Sequence, residues 1–167
     1  MVGMRLFRHL TTGKFALRRH LPLGSETAIS AAVTEAERGH SAEIRVIIEA
    51  RRPLHKILWG ETARRRAIDV FALERVWDTE HNNGVLLYLL VAERDAEIVA
   101  DRGINPHITG VEWESVCKKL EVAVRAGGLV TGVQVAVAEI AELLRREFPL
   151  ADSNTQKNEL SDDVVIR

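Results

Sequence analysis

The run Gly84-Val85-Leu86-Leu87-Tyr88-Leu89-Leu90-Val91-Ala92 is apolar at odd and even positions alike, and it constrains the fold more than any other part of the chain. It falls well short of the ~18 residues needed to span a bilayer. A strand apolar on both faces must be covered on both faces, so Val85 to Val91 belongs in the middle of a sheet lying between helical layers. Asn83-Gly84 stands before it as a turn, expected to supply left-handed backbone conformations. Glu93-Arg94-Asp95-Ala96 follows as a tight turn, returning Glu97 to Asp101 as an antiparallel partner.

Upstream, Glu43-Ile44-Arg45-Val46-Ile47-Ile48-Glu49 is rich in β-branched residues and largely alternating, which makes it a strand ended by Arg51-Arg52-Pro53. Between it and the apolar run lie a loop, Pro53 to Gly60, and a helix, Glu61 to Trp77. That helix has an apolar stripe of Ala67, Ile68, Phe71 and Val76, and Arg64, Arg65 and Arg66 read as a solvated basic face. Two strands joined through a helix form a parallel pair with a right-handed crossover. Three further helices complete the pattern. One is capped by Ser25 and carries Ile29, Ala32, Val33 and Ala36. The second runs from Glu112 to Ala126 over Val116, Leu120, Ala123 and Val124. The third runs from Val130 to Phe148 over Val133, Val137, Ile140 and Leu144. The expected fold is α/β: a three-layer helix–sheet–helix sandwich around a small mixed sheet, made of a parallel β-α-β unit plus a β-hairpin, with a helical N-terminal arm.

The domain organisation follows from the flanks. Residues 1–22 form a basic helical arm with Arg5, Arg8, Lys14, Arg18 and Arg19 and no acid before Glu26. Its apolar face, Leu6, Leu10 and Leu17, is expected to pack on the domain or a partner; contact with anionic lipid and an organellar leader are the other two readings. Residues 23–149 form the α/β domain. Residues 150–167 are polar except for Val164-Val165-Ile166 and are expected to be a flexible tail. A formal net charge of -1 gives no field favouring nucleic acid. Cys117, the only cysteine, excludes an intrachain disulfide or CxxC motif and reads as a small buried hydrophobe. The expected location is cytoplasmic, with the arm as the part that would reach a membrane surface.

Phosphate-loop, dinucleotide-turn, zinc-helix and nucleophile-elbow motifs are absent from the sequence, and the six histidines have no ligand-like spacing. The polar turn Asp78-Thr79-Glu80-His81-Asn82-Asn83 is the one concentration of chemistry. If Glu93 pairs with Ala96, Asp101 lies near Tyr88 and Asn105 beside Gly84, so Arg102-Gly103-Ile104-Asn105-Pro106-His107 is delivered next to that turn. Asp78, Glu80, Asn82, Asn83, Asp101 and Asn105 then become candidate oxygen ligands, a donor set suited to calcium or magnesium rather than zinc. The bland alternative is that these residues only shape a turn and end a helix.

At these residues the chain resembles the TPM domain family, whose founders come from the thylakoid lumen, photosystem II and acetylcholine-receptor modulation. The resemblance runs from Ser41-Ala42-Glu43-Ile44-Arg45-Val46, through Trp77 and Asn83-Gly84-Val85-Leu86-Leu87-Tyr88-Leu89, to Arg94-Asp95-Ala96-Glu97-Ile98, Arg102-Gly103-Ile104 and the last two helices. It is closest to a compact bacterial branch in which a basic N-terminal helix replaces the signal peptide. It implies a helix–sheet–helix fold, and it carries over Asn83, Gly84 and Gly103 as turn residues. For function it implies an accessory or binding domain with a protein partner and a divalent cation such as calcium. The alternative is a weak metal-assisted acid phosphatase, in which metal held by Asp78, Glu80 and Asn82 activates water and Arg102 neutralises developing charge.

Overall fold

A computed structural model describes residues 14–150 and 158–167. Among them run α1 (Lys14–His20), α2 (Ser25–Ala36), β1 (Glu43–Glu49), α3 (Leu54–Leu58), α4 (Ala63–Leu73), β2 (Gly84–Leu90), β3 (Asp95–Ala100), α5 (Gly110–Gly127), α6 (Leu129–Glu147) and β4 (Val165–Ile166). The sheet order is β3-β2-β1-β4, with β1 parallel to both β2 and β4 and β2 antiparallel to β3. The mixed α/β sandwich is therefore the observed architecture.

Every residue of β2 is buried, as its two-sided apolar pattern requires. Val85, Leu87 and Leu89 join Ile44, Val46, Ile48 and Ile98 under α2, α5 and α6, where Ile29, Val33, Val116, Leu120, Val137 and Ile140 close the larger core. Leu86, Tyr88 and Leu90 face the other way with Ile47 and Val99, against Ala63, Ala67 and Val70 of α4. Thr109 caps α5 through a reciprocal pair: its hydroxyl accepts from the Glu112 N–H and the Glu112 carboxylate accepts from the Thr109 N–H. That exposed carboxyl is held down at about 2, first by the Thr109 backbone bond and then by Arg146.

Several local expectations are corrected. Ser25 is not a cap: Gly24 holds that position, and the Ser25 hydroxyl donates back to the Pro22 carbonyl at 2.6 Å. Ile68 is exposed on α4, where Ala63 and Val70 complete the buried stripe with Ala67. The loop after β1 contains the single turn α3. On α5, Ala123 and Val124 are only half-buried, with Val124 packed beside Gly132 of α6.

The largest departure is at the end of the chain. Residues 158–167 are not a free tail: Val165 and Ile166 pair with Ile47 and Ile48 and close the outer edge of β1. Val164 and Ile166 pack toward one core, and Leu160 and Val165 toward the other. A three-residue apolar island carries too little periodicity to announce a strand; only the open edge of β1 makes it one. Leu17 of the arm is buried against the larger core, while Leu6 and Leu10 lie outside the described residues.

Candidate functional site

The polar turn is built by the way α4 ends. Arg75 takes a left-handed conformation at φ 55° and Val76 drops fully into the core. Asp78 then donates its N–H to the Arg75 carbonyl, and the buried Thr79 hydroxyl accepts from Asn83 N–H at 3.0 Å. The left-handed residue of this turn is Asn82, at φ 53°, so the conformational role expected of Asn83-Gly84 belongs one residue earlier. Asn83 instead clamps two strands, its amide donating to the Ser41 carbonyl at 2.5 Å and its own carbonyl accepting from Glu43 N–H. Gly84 is required by space. A Cβ there would lie 2.0 Å from the Val76 carbonyl oxygen.

The end of β3 meets this turn directly. Gly103 N–H donates to the Asn82 carbonyl at 3.0 Å, and a Cβ on Gly103 would lie 2.6 Å from that oxygen. The Arg102 guanidinium donates twice to Asn82 Oδ1, at 2.9 and 2.6 Å. Asp101 N–H donates to the Gly84 carbonyl, and Asp101 Oδ1 accepts from Arg102 N–H. Asn82, Asn83, Gly84, Asp101, Arg102 and Gly103 thus converge.

The register that brings them there differs from expectation. Leu90 pairs with Asp95 and Tyr88 with Glu97, which sets Asp101 opposite Gly84 rather than near Tyr88. The hairpin closes earlier because Val91–Glu93 form a 3-10 turn and Arg94 takes a left-handed conformation. Asn105 consequently turns back, its amide on the Ala100 carbonyl at 3.4 Å. Two other candidates, Asp78 and Glu80, and the neighbouring His107 are directed elsewhere. Asp78 pairs with Arg75 at 2.5 Å and lines a shallow cavity of about 280 Å³ with Arg45, Glu74, Glu159, Leu160 and Ser161. Glu80 is exposed, with its main-chain N–H on Glu159. His107 stacks edge-on against Phe148 at 5.2 Å and faces Glu147.

Of the six oxygen candidates, Asn82, Asn83 and Asp101 lie at this junction, and Asp78, Glu80 and Asn105 are directed elsewhere. Asn82 Oδ1 is committed to a cation, Arg102, and Asp78 to another, Arg75. Among the described residues no group of three or more His, Cys, Asp or Glu side chains is placed to hold a metal. Two oxygens of the set, Asn83 Oδ1 and Asp101 Oδ2, are buried without a hydrogen-bond partner.

A second constellation lies on β1. Glu43, Arg45 and Glu49 place charges on the α4-facing side of β1, and each makes hydrogen bonds there. Glu49 takes a bidentate pair from Arg66, at 2.9 Å twice, and the hydroxyl of buried Tyr88 at 2.5 Å. Burial pushes the Glu49 carboxyl up, but these bonds outweigh it and hold it below its usual range. The Tyr88 phenol is raised well above its ordinary value by burial and by the carboxylate beside it. Arg52, fully buried, pairs with Glu61 and Glu93. Arg45 donates to the carbonyls of Ser161 and Asp163. Arg64 and Arg65 are exposed, as the solvated-face reading has it, although Arg64 also donates to the Ile98 carbonyl; Arg66 is the half-buried member of the run. The available signal was three charged residues at alternate positions in a strand otherwise buried. Cys117 is half-buried, with burial pushing its thiol up to about 11.

Against known proteins, a family model described as the TPM domain matches residues 20–143. Among solved structures the chain is similar to the BA42 protein from the psychrophilic bacterium Bizionia argentinensis, determined by NMR. The TM-score is 0.76 at 26% identity, covering 88% of this chain and 95% of that one. No curated protein matches.

Proposed function

The chain belongs to the TPM domain family, and from that premise we propose that it works as an accessory binding module with a protein partner. The observation that carries the reading is that the two residues a phosphatase would need together are each paired with a different neighbour. Asp78 is paired with Arg75 and Arg102 with Asn82. A carboxylate and a guanidinium paired with different neighbours are not pre-organised toward one phosphoryl group, which favours the binding-module reading. A divalent cation enters this reading only as a weak ligand of the turn, through Asn83 and Asp101.

The test uses the full chain with an aryl phosphate, with and without calcium or magnesium, beside a metal titration followed by amide NMR. The expected results are no turnover above the buffer blank and, at millimolar metal, shifts confined to the amides around Asn83 and Asp101. Turnover that disappears in Asp78→Ala, or tight saturable binding centred on Asp78 and Glu80, would establish the metal-assisted phosphatase instead. No helix among the described residues is long and apolar enough to cross a membrane. A membrane-surface role is thus left to the basic residues at the N-terminus, and sedimentation with anionic against neutral vesicles tests it.

A further inference from the structure

The outer edge of β1 recognises residues 158–167 in the manner of a peptide-binding groove. Main-chain pairing comes first: Ile47 and Ile48 register with Val165 and Ile166, Arg167 N–H donates to the Ile48 carbonyl at 2.9 Å, and Ala50 N–H donates to the Arg167 carbonyl at 2.7 Å. Side chains then read the segment at alternate positions, Leu160 and Val165 against the α4 side and Val164 and Ile166 against the other. Polar groups fix its direction. Arg45 donates to the carbonyls of Ser161 at 2.6 Å and Asp163 at 2.8 Å. The Glu43 carboxylate accepts from Leu160 N–H at 3.3 Å, and the Ser30 hydroxyl accepts from Val164 N–H at 3.1 Å. Thr34 donates to the Asp162 carboxylate, and Arg167 pairs with Glu74. Backbone bonds for affinity and alternating side-chain contacts for specificity are the physics of strand addition.

This docking is shallow. β4 is two residues long, and its side chains, like Leu160 and Val164, are only half-buried. The acceptor edge by contrast belongs to a strand whose apolar residues are wholly buried, so its N–H and C=O groups are costly to leave without a strand. Seven residues, Ala151 to Lys157, with no apolar side chain larger than alanine, connect the segment to the domain. Every contact made in cis is available from an identical chain, so the balance between the two forms is set by effective concentration.

We propose that the β1 edge is a strand-acceptor groove for an extended peptide of the pattern apolar–Ser–acidic–acidic–three β-branched residues–Arg, and that it takes this segment from a second copy of the chain, giving a reciprocally exchanged dimer. The inference rests on the binding-module reading only in naming a partner. A catalytic domain can carry the same groove, so the phosphatase assay and the experiment below fail separately.

A Thr34→Cys chain is mixed with an Asp162→Cys chain at high concentration, oxidised and mapped by peptide mass spectrometry, which separates the engineered link from any involving Cys117. Thr34 is exposed, so the fold tolerates the change. The expected product is an interchain disulfide between positions 34 and 162. Its yield rises with protein concentration and falls when a synthetic peptide of residues 158–167 is added in excess. Absence of that product, while the Thr34→Cys/Asp162→Cys double variant closes within one chain, would overturn the exchange. Failure of the double variant to close would overturn the docking itself.

Discussion

Tyr88, buried at the centre of β2, donates its hydroxyl to Glu49 Oε2 on the neighbouring parallel strand at 2.5 Å. The same carboxylate is held by Arg66 of α4, so one acid ties the middle of the sheet to the helix that covers it.

Removing the acid should cost more than removing the phenol. Tyr88→Phe takes one hydrogen bond and leaves the Arg66 pair intact, an expected loss of about 1–2 kcal/mol. Glu49→Ala strands the half-buried Arg66 and the buried Tyr88 hydroxyl, an expected loss of about 3 kcal/mol or more. Urea denaturation of the three proteins measures the order. Equal losses would mean that the ion pair adds nothing.

Gly84 should be intolerant for a steric reason. The 2.0 Å separation between its notional Cβ and the Val76 carbonyl leaves no rotamer that relieves the clash. Gly84→Ala is expected to destabilise by roughly 2 kcal/mol or more, and Gly84→Val further still. A midpoint unchanged from the parent would show that the start of β2 can move away from Val76.

Asp78→Asn should change stability by no more than about 0.5 kcal/mol, since the Arg75 pair is largely solvent-exposed. The same denaturation experiment checks it, and the contrast with Gly84, six positions on, separates a surface ion pair from a packing requirement.

Stability should fall as pH rises from about 6.5 to about 8. Burial raises the Glu37 carboxyl to about 8, with Glu43 and Asp162 adding like charge. A raised carboxyl stabilises the fold while protonated, fully so below its unfolded value, and that contribution is lost as pH climbs through the folded value. His40 acts in the opposite sense. Burial and then Arg145 lower it to about 4, so the fold gains stability as pH rises from there to about 6.5. The two slopes oppose each other below about pH 6.5, and above it the His40 contribution is flat while that of Glu37 still falls. Urea midpoints across pH 5–9 should show the decline, and Glu37→Gln should flatten it. A decline that persists in Glu37→Gln would assign it to another group.

What the sequence determined by itself is the set of elements and their layering. Val85 to Val91 is apolar at both parities, and only a central, doubly covered strand satisfies that. The helical spacing of Ile29 and Val33, and of Val133, Val137, Ile140 and Leu144, likewise states which faces are buried, because side-chain periodicity is a local property of the backbone. The meeting of the 82–84 turn with the end of β3 was legible too, since a hairpin folds its two arms together whatever its exact register. Tertiary structure decided the rest. The register depended on Arg94 adopting a left-handed conformation that arginine rarely takes, which moved Asp101 from Tyr88 to Gly84 and turned Asn105 away. The partners of Asp78 and Arg102 depended on which side chains the turn left within reach. The fourth strand is two residues long, and it exists because Arg45, Glu43 and the open edge of β1 wait more than a hundred positions earlier in the chain. Such a segment has no period of its own to read, and its conformation is set by the groove that receives it.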